Sequence, residues 1–328
     1  MPMKLAAEAL ALRVGDWIAR RSGPEAGEIV LDSRRVYILP TRAGLVFAAA
    51  MLALLIGAIN YGLQLGFLLT FFVVSIAFVA MHATHANLAG LQVRGAGAEP
   101  VFCGEPAVFR LLLASESPRP RRALALSARG PDAAPAGPVS SVDVPGRARV
   151  EASVAVPTAR RGPLAAPRVL LATRFPLGLW RAWASVQPAQ SALVWPRPED
   201  DAPPLPAQSA GALDGGASGL SGEHFAGVRP YQSGDPRKAI AWRLAARSDT
   251  LSVKLFEQSR GGELALDYAA LPGHLDPEAR LARLARWVLD AEAAGLRYGL
   301  KLPGAQLAAA EGEAHRRACL DALALARV

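Results

Sequence analysis

Between Gly222 and Glu257 the chain crowds ionisable and aromatic residues together. Glu223, Arg229, Asp235, Arg237, Lys238, Arg243, Arg247, Asp249, Lys254 and Glu257 interleave with Phe225, Tyr231 and Trp242, whereas most of the remaining sequence is Ala, Leu, Gly and Pro. Three chemistries fit these residue types. Glu223, Arg229, Asp235 and Arg237 have the signs to form a bonded network, in which removing one buried partner costs about 3–5 kcal/mol. Arg229, Arg237 and Lys254, near a helix N-terminus, have the charge to hold an anion such as a nucleotide or polar lipid headgroup. Tyr231, Trp242 and Arg are also the residue types that anchor protein interfaces. The stretch thus yields Glu223, Arg229, Tyr231, Asp235, Arg237, Trp242 and Lys254 as partner- or anion-binding candidates, with no catalytic residue among them.

Local signals predict how these residues are held. Ser233-Gly234-Asp235-Pro236 starts a helix, with Asp at the N-cap and Pro at the first helical position. A helix over 236–247 places Ile240 and Leu244 on one face, and 251–255 alternates as a strand, so the expected order is loop, capped helix, strand. Upstream, the Pro-, Ala-, Gly- and Ser-rich residues 199–221 form a linker.

Residues 43–81 contain no Asp, Glu, Lys, Arg or His. As one helix that run would be about 58 Å long, against a hydrocarbon core of about 30 Å. Asn60-Tyr61-Gly62-Leu63-Gln64 divides it, so spans at 43–59 and 65–81 and a transmembrane hairpin over 43–83 are expected. Arg13, Arg20, Arg21, Arg34, Arg35 and Arg42 precede the first span, the connecting loop is uncharged, and Arg94 follows the second. The positive-inside rule then puts both ends in the cytoplasm. Residues 1–42 form a basic N-terminal arm, whose segment 4–21 suits either the inner leaflet or the body of the protein.

From 90 to 198 short apolar runs alternate with Pro and Gly clusters, the texture of an all-β, Ig-like sandwich. Strands are expected at 107–114, 123–127, 149–156, 168–173 and 193–195. Residues 173–183 form two strand pieces around a Pro/Gly turn, with Trp180 and Trp183 in the core. Residues 222–328 combine the charged stretch with a strand at 263–267, a helix capped by Asp276-Pro277-Glu278, a strand at 296–302 and a helix at 313–327. Leu281, Leu284, Val288 and Leu289 share a face of the first of these helices. The fold class is therefore a membrane α-hairpin plus α+β.

The run Glu223…Phe225-Ala226-Gly227-Val228-Arg229-Pro230-Tyr231-Gln232-Ser233-Gly234-Asp235-Pro236-Arg237…Ile240-Ala241-Trp242…Ala246-Arg247…Leu251…Val253-Lys254 resembles the signature of domain-of-unknown-function family 58. The hairpin with Asn60-Tyr61 and the later Phe175-Pro176-Leu177-Gly178 agree with it, so the resemblance runs from about Arg34 to the end. It implies a bacterial inner-membrane protein, multi-pass, with its main domains cytoplasmic. It also implies association with a MoxR-type AAA+ ATPase and with a transglutaminase-like membrane protein. A von Willebrand factor A-like lobe is implied for the C-terminal part, here truncated. The Asp-x-Ser-x-Ser metal motif of such lobes is missing, because Asp267 is followed by Tyr268-Ala269-Ala270-Leu271. One carboxylate cannot satisfy a hard cation that takes about six oxygens, so no metal and no cofactor are expected.

The composition narrows the alternatives. With 52% hydrophobic and 20% charged residues and a net charge of +8, the partners suggested are nucleic acid or an anionic membrane surface. The Arg residues are spread over arm, middle and tail instead of forming a stripe, and topology accounts for part of them. That disfavours nucleic acid and leaves the lipid bilayer. Cys103 and Cys319 lie far apart and are read as reduced thiols, and His82, His85, His224, His274 and His315 lack ligand spacing. The expected function is a non-enzymatic, membrane-anchored scaffold or adaptor. The alternative is an anion- or ligand-binding receptor or enzyme built on the Arg/Lys cluster.

Overall fold

A computed structural model describes residues 23–129, 137–206, 224–230, 252–257 and 263–327. The chain divides into two compact units, Met1–Trp195 and Pro196–Val328. The segment 4–21 of the N-terminal arm lies outside the described residues.

The first unit contains two long helices, α1 (Arg42–Asn60) and α2 (Gln64–Ala86). Thr41 caps α1, its Oγ1 accepting from Gly44 N at 3.1 Å. The turn falls where the sequence placed it, with Gly62 at φ +60°. Gly66 lets the helices close on each other, since a Cβ there would stand 2.9 Å from Ala58 Cβ. The second helix continues to Ala86, five residues past the expected end, and takes in His82 and His85. Its buried residues, Thr70, Ala77, Ala80 and Thr84, recur at helical spacing and are all small. The hydroxyls of Thr70, Ser75 and Thr84 donate to carbonyls four residues back, so none is left without a partner. Only 11% and 17% of the apolar stretches of the two helices are buried within the protein. Leu65, Val46 and Phe72 are 79%, 71% and 63% exposed, which sets the pair apart from core helices of a soluble fold. Both are long and apolar enough to cross a membrane.

The other described residues of this unit build three β-sheets. One antiparallel sheet has the order β1 (Glu28–Val30), β3 (Leu91–Ala98), β5 (Ala107–Ser115), β8 (Arg149–Val156). A second runs β2 (Tyr37–Pro40), β11 (Trp180–Val186), β10 (Arg168–Thr173), β6 (Arg121–Arg129), β7 (Ser140–Val144). A third is made of β4 (Val101–Phe102), β12 (Ser191–Trp195) and β9 (Gly162–Ala165). Alternation dictates the core: Leu111 and Leu113 of β5 and Leu124 and Leu126 of β6 are fully buried in one cluster with Ile29, Val154, Leu171 and Ala184. The first two sheets therefore enclose a common core. Residues 28–40, assigned from sequence to the N-terminal arm, supply one strand to each of these sheets. Glu28 pairs with Arg94, and Tyr37 with Trp183. Trp183 is buried and stacks on Tyr37 with centroids 5.9 Å apart, while Trp180 is half-buried.

The second unit contains a three-stranded sheet of β15 (Leu264–Asp267), β16 (Tyr298–Leu302) and β17 (Ala305–Ala310). Between β15 and β16, which are parallel, runs α3 (Pro277–Ala293), and α4 (Glu313–Leu325) follows β17. Asp276 caps α3 through Ala279 N, and the helix stops before Gly295 at φ +62°. On α3, Leu281, Leu284 and Val288 are buried as expected, whereas Trp287 is buried and Leu289 only half-buried. Strand β17 corrects the expected β-α-β-α order to β-α-β-β-α. Its sequence, Ala-Gln-Leu-Ala-Ala-Ala, has no alternation to announce a strand, and Gly304 at φ +85° makes the turn into it. The beginning of the expected linker is not free. Glu199 N donates to Ala282 O at 3.1 Å, Glu199 pairs with Arg283, and Trp287 Nε1 donates to Pro203 O at 2.8 Å.

Candidate functional site

The charged stretch enters the second unit as a two-stranded antiparallel ribbon, β13 (His224–Pro230) with β14 (Ser252–Glu257). This corrects the expectation of a loop ahead of the helix: residues 224–230 form a strand. The alternation Val253-Lys254-Leu255 accounts for β14, but β13 contains Gly227 and ends on Pro230, residues that argue against a strand locally. The pairing slips between Phe225 and Gly227, where a bulge takes up Ala226 and Gly227 resumes the register opposite Leu255.

Register decides which candidates meet. Arg229 pairs with Val253 and Lys254 with Val228, so the two basic residues occupy adjacent rungs. Adjacent rungs alternate between the two faces of a ribbon, so backbone register alone does not gather Arg229 and Lys254 on one face. Pro230 pairs with Ser252, the two described residues that flank segment 231–251. Tyr231, Asp235, Arg237 and Trp242 all belong to that segment. They lie outside the described residues, as do Glu223 and the expected helix over 236–247.

Two further polar clusters in this unit carried no signal beyond residue type. At the C-terminal end of β15, Asp267 Oδ1 accepts from Ala269 N at 2.8 Å, and Oδ2 lies 3.5 Å from Lys301 Nζ. Its carboxylate thus caps a 3-10 turn and balances one cation. Among the described residues no group of three or more His, Cys, Asp and Glu is placed to hold a metal ion.

Buried between α3, β16 and α4, the Tyr298 hydroxyl donates to Glu292 Oε2 at 3.1 Å, and the Tyr298 ring packs on His315 with centroids 4.8 Å apart. His315 Nε2 lies 2.7 Å from Tyr298 O and 3.5 Å from Cys319 Sγ. A nitrogen that close to a carbonyl must carry the proton, so it is no base for the thiol. Burial pushes the Cys319 thiol up to about 12, with the Glu292 charge adding to it. Burial also pushes the Tyr298 phenol well above its ordinary value. A neutral thiol, a neutral phenol and a donating imidazole brace the lobe and cannot activate a nucleophile.

The first unit's polar residues converge where the helical pair meets the sheets. Asn87, just past α2, donates through Nδ2 to Arg122 O at 2.8 Å and Thr173 Oγ1 at 2.9 Å, and its Oδ1 accepts from Arg122 N at 3.0 Å. Buried Arg121 donates to Ala86 O and to Ser115 Oγ, and burial lowers its pKa. These bonds fasten the end of α2 to β6 and β10. No protein-family model matches this chain, and no curated protein does so either.

Proposed function

We propose that the protein is a non-catalytic scaffold or adaptor, anchored in a bacterial inner membrane by the α1–α2 hairpin and displaying the β-sheets of its first unit and the whole of its second unit in the cytoplasm. One observation carries the reading. The two apolar helices leave most of their surface uncovered, yet hydrogen bonds from Thr41 and Asn87 tie their ends to the β10–β11 turn and to β10. Such a pair suits a bilayer as solvent and a β-domain held rigidly at its surface. The Arg-rich flanks support the cytoplasmic placement. An Ig-like sandwich and a von Willebrand factor A-like lobe are the fold readings that go with the resemblance to family 58.

On the same resemblance, the partner is a MoxR-type AAA+ ATPase, with a transglutaminase-like membrane protein as a further associate. Arg229, Tyr231, Asp235, Arg237 and Trp242 are the docking residues, because Arg, Tyr and Trp supply most interface energy where they occur together. The test is a pull-down of the detergent-solubilised full chain against the MoxR-type ATPase of the same genome, with Arg229→Ala and Arg237→Ala compared at matched melting temperature. Lost binding with unchanged melting supports docking. Retained binding with lowered melting makes the stretch a structural brace. Failure of the wild type to bind removes the adaptor reading and brings forward the anion-site alternative.

A further inference from the structure

The β10–β11 turn, residues 174–179, carries an apolar tip, Phe175-Pro176-Leu177, directly beside the membrane-type helices. Strand β2 passes straight into α1 through Thr41, and Pro40 pairs with Trp180, the first residue of β11. The turn that precedes Trp180 therefore projects past the end of the sheet on the side where the helices leave it. Three contacts fix its level. Thr41 N donates to Leu179 O at 2.8 Å, Thr41 Oγ1 donates to Gly178 O at 2.6 Å, and Trp180 Nε1 donates to Ala77 O at 2.9 Å. Ala77 precedes His82, the first ionisable residue of α2, by five residues, about 7 Å of helix. Trp180 consequently reaches the charge-free part of α2, on the apolar side of His82, and the tip projects in the direction that α1 takes from the sheet.

From this we infer that residues 175–180 are a third contact with the lipid, dipping into the headgroup–acyl boundary beside the two spans. This rests on the anchored reading above. Leu177 is 54% and Phe175 37% exposed. Arg174, exposed, and Arg122, whose guanidinium sits 5.9 Å over the Phe175 ring, place positive charge where anionic headgroups lie. A turn that enters such a boundary must satisfy its own backbone, and this one does so largely. Phe175 N donates to Thr173 Oγ1 at 3.2 Å, Gly178 N donates to Arg174 O at 2.8 Å, Pro176 has no N–H, and Gly178 O and Leu179 O accept from Thr41. An indole at this depth matches the preference of Trp for the interface. Two antiparallel helices alone let a domain rock about their common plane. A third foot beside them sets the tilt of the β-sheets.

The experiment uses the full chain in nanodiscs of phosphatidylcholine and phosphatidylglycerol, in a Cys103→Ser background with the buried Cys319 retained. A nitroxide is placed at Leu177→Cys, at Leu68→Cys on α2, or at Val139→Cys, an exposed apolar site beside the opposite end of the second sheet. Collision of the label with oxygen is compared with collision with a water-soluble nickel chelate, after each variant is shown to melt like its background. Expected is oxygen preference at 68 and 177 and nickel preference at 139. Nickel preference at 177 with oxygen preference at 68 overturns the lipid contact and leaves the anchor standing. Shielding of 177 from both reagents means that protein covers the tip, and also overturns it. Nickel preference at 68 removes the anchor and this inference together.

Discussion

Replacing Gly44 by Ala tests how tightly α1 is tied to the β10–β11 turn. Gly44 is the third residue of α1, and a Cβ on it would stand 2.2 Å from Leu179 O and 3.1 Å from Leu179 C. Both neighbours are backbone, so no side chain can swing aside, and helix and turn must separate by roughly 1 Å. Leu179 O also accepts from Thr41 N at 2.8 Å, so the separation stretches that bond past useful length. Overpacking costs about 1–3 kcal/mol and the lost bond about 1 kcal/mol, while the helix gains about 1 kcal/mol from exchanging Gly for Ala. The net is about 1–3 kcal/mol of destabilisation. For a unit of this size that lowers Tm by about 3–10 °C. The assay is thermal unfolding of the detergent-solubilised full chain, with Gly57→Ala as control, because no atom lies within 4 Å of a Cβ at Gly57. The control should melt at or slightly above wild type. A Gly44→Ala protein that does the same refutes the close approach of α1 to residues 178–179.

Three other outcomes follow from the same geometry. Asn87→Ala removes three hydrogen bonds and leaves Arg122 N–H and C=O without that partner at a buried junction, so a loss of about 2–3 kcal/mol is expected in thermal unfolding. Glu199 bonds Arg283 bidentately at 2.8 and 2.9 Å, and that hydrogen bond holds its carboxyl below the usual range. Its stabilisation is present above the unfolded carboxyl pKa and disappears as pH falls through the lower folded value. Glu199→Gln should therefore cost about 1 kcal/mol near pH 7, and the difference should shrink as pH falls below the ordinary carboxylate range, read from Tm against pH. Cys103 is half-exposed and Cys319 buried with its thiol pushed up to about 12, so a maleimide should modify the former quickly and the latter only after denaturation. Rapid double labelling of the folded chain would contradict the packing of α4.

Much of the candidate site was legible as composition, because ten charges and four aromatics in one stretch of an Ala-rich chain stand out. Its geometry was not. Whether Arg229 and Lys254 share a face depends on register, and register depends on a bulge at Ala226 that no local preference announces. The Cys319–His315–Tyr298–Glu292 cluster was equally hidden, since its members come from α3, β16 and α4 and meet only through packing.

The same division runs through the fold. Sequence alone determined the helical pair, because a charge-free run of that length exceeds one bilayer crossing and breaks at Asn60-Tyr61-Gly62. It determined Arg149–Val156 and Arg168–Thr173, bounded by turn residues, and the start of α3 at Asp276-Pro277. These are local signals, set by periodicity and by backbone groups needing a cap. Only the tertiary structure recruited Glu28–Val30 and Tyr37–Pro40 into the sheets, where their partners lie near Arg94 and Arg181. Only it turned Ala305–Ala310 into a strand and set Phe175-Pro176-Leu177 beside Thr41 and Ala77. Short strands and turns contain too few residues to specify partners by pattern. The partner supplies the hydrogen bonds and the buried surface, and it exists only once the distant chain has folded against them.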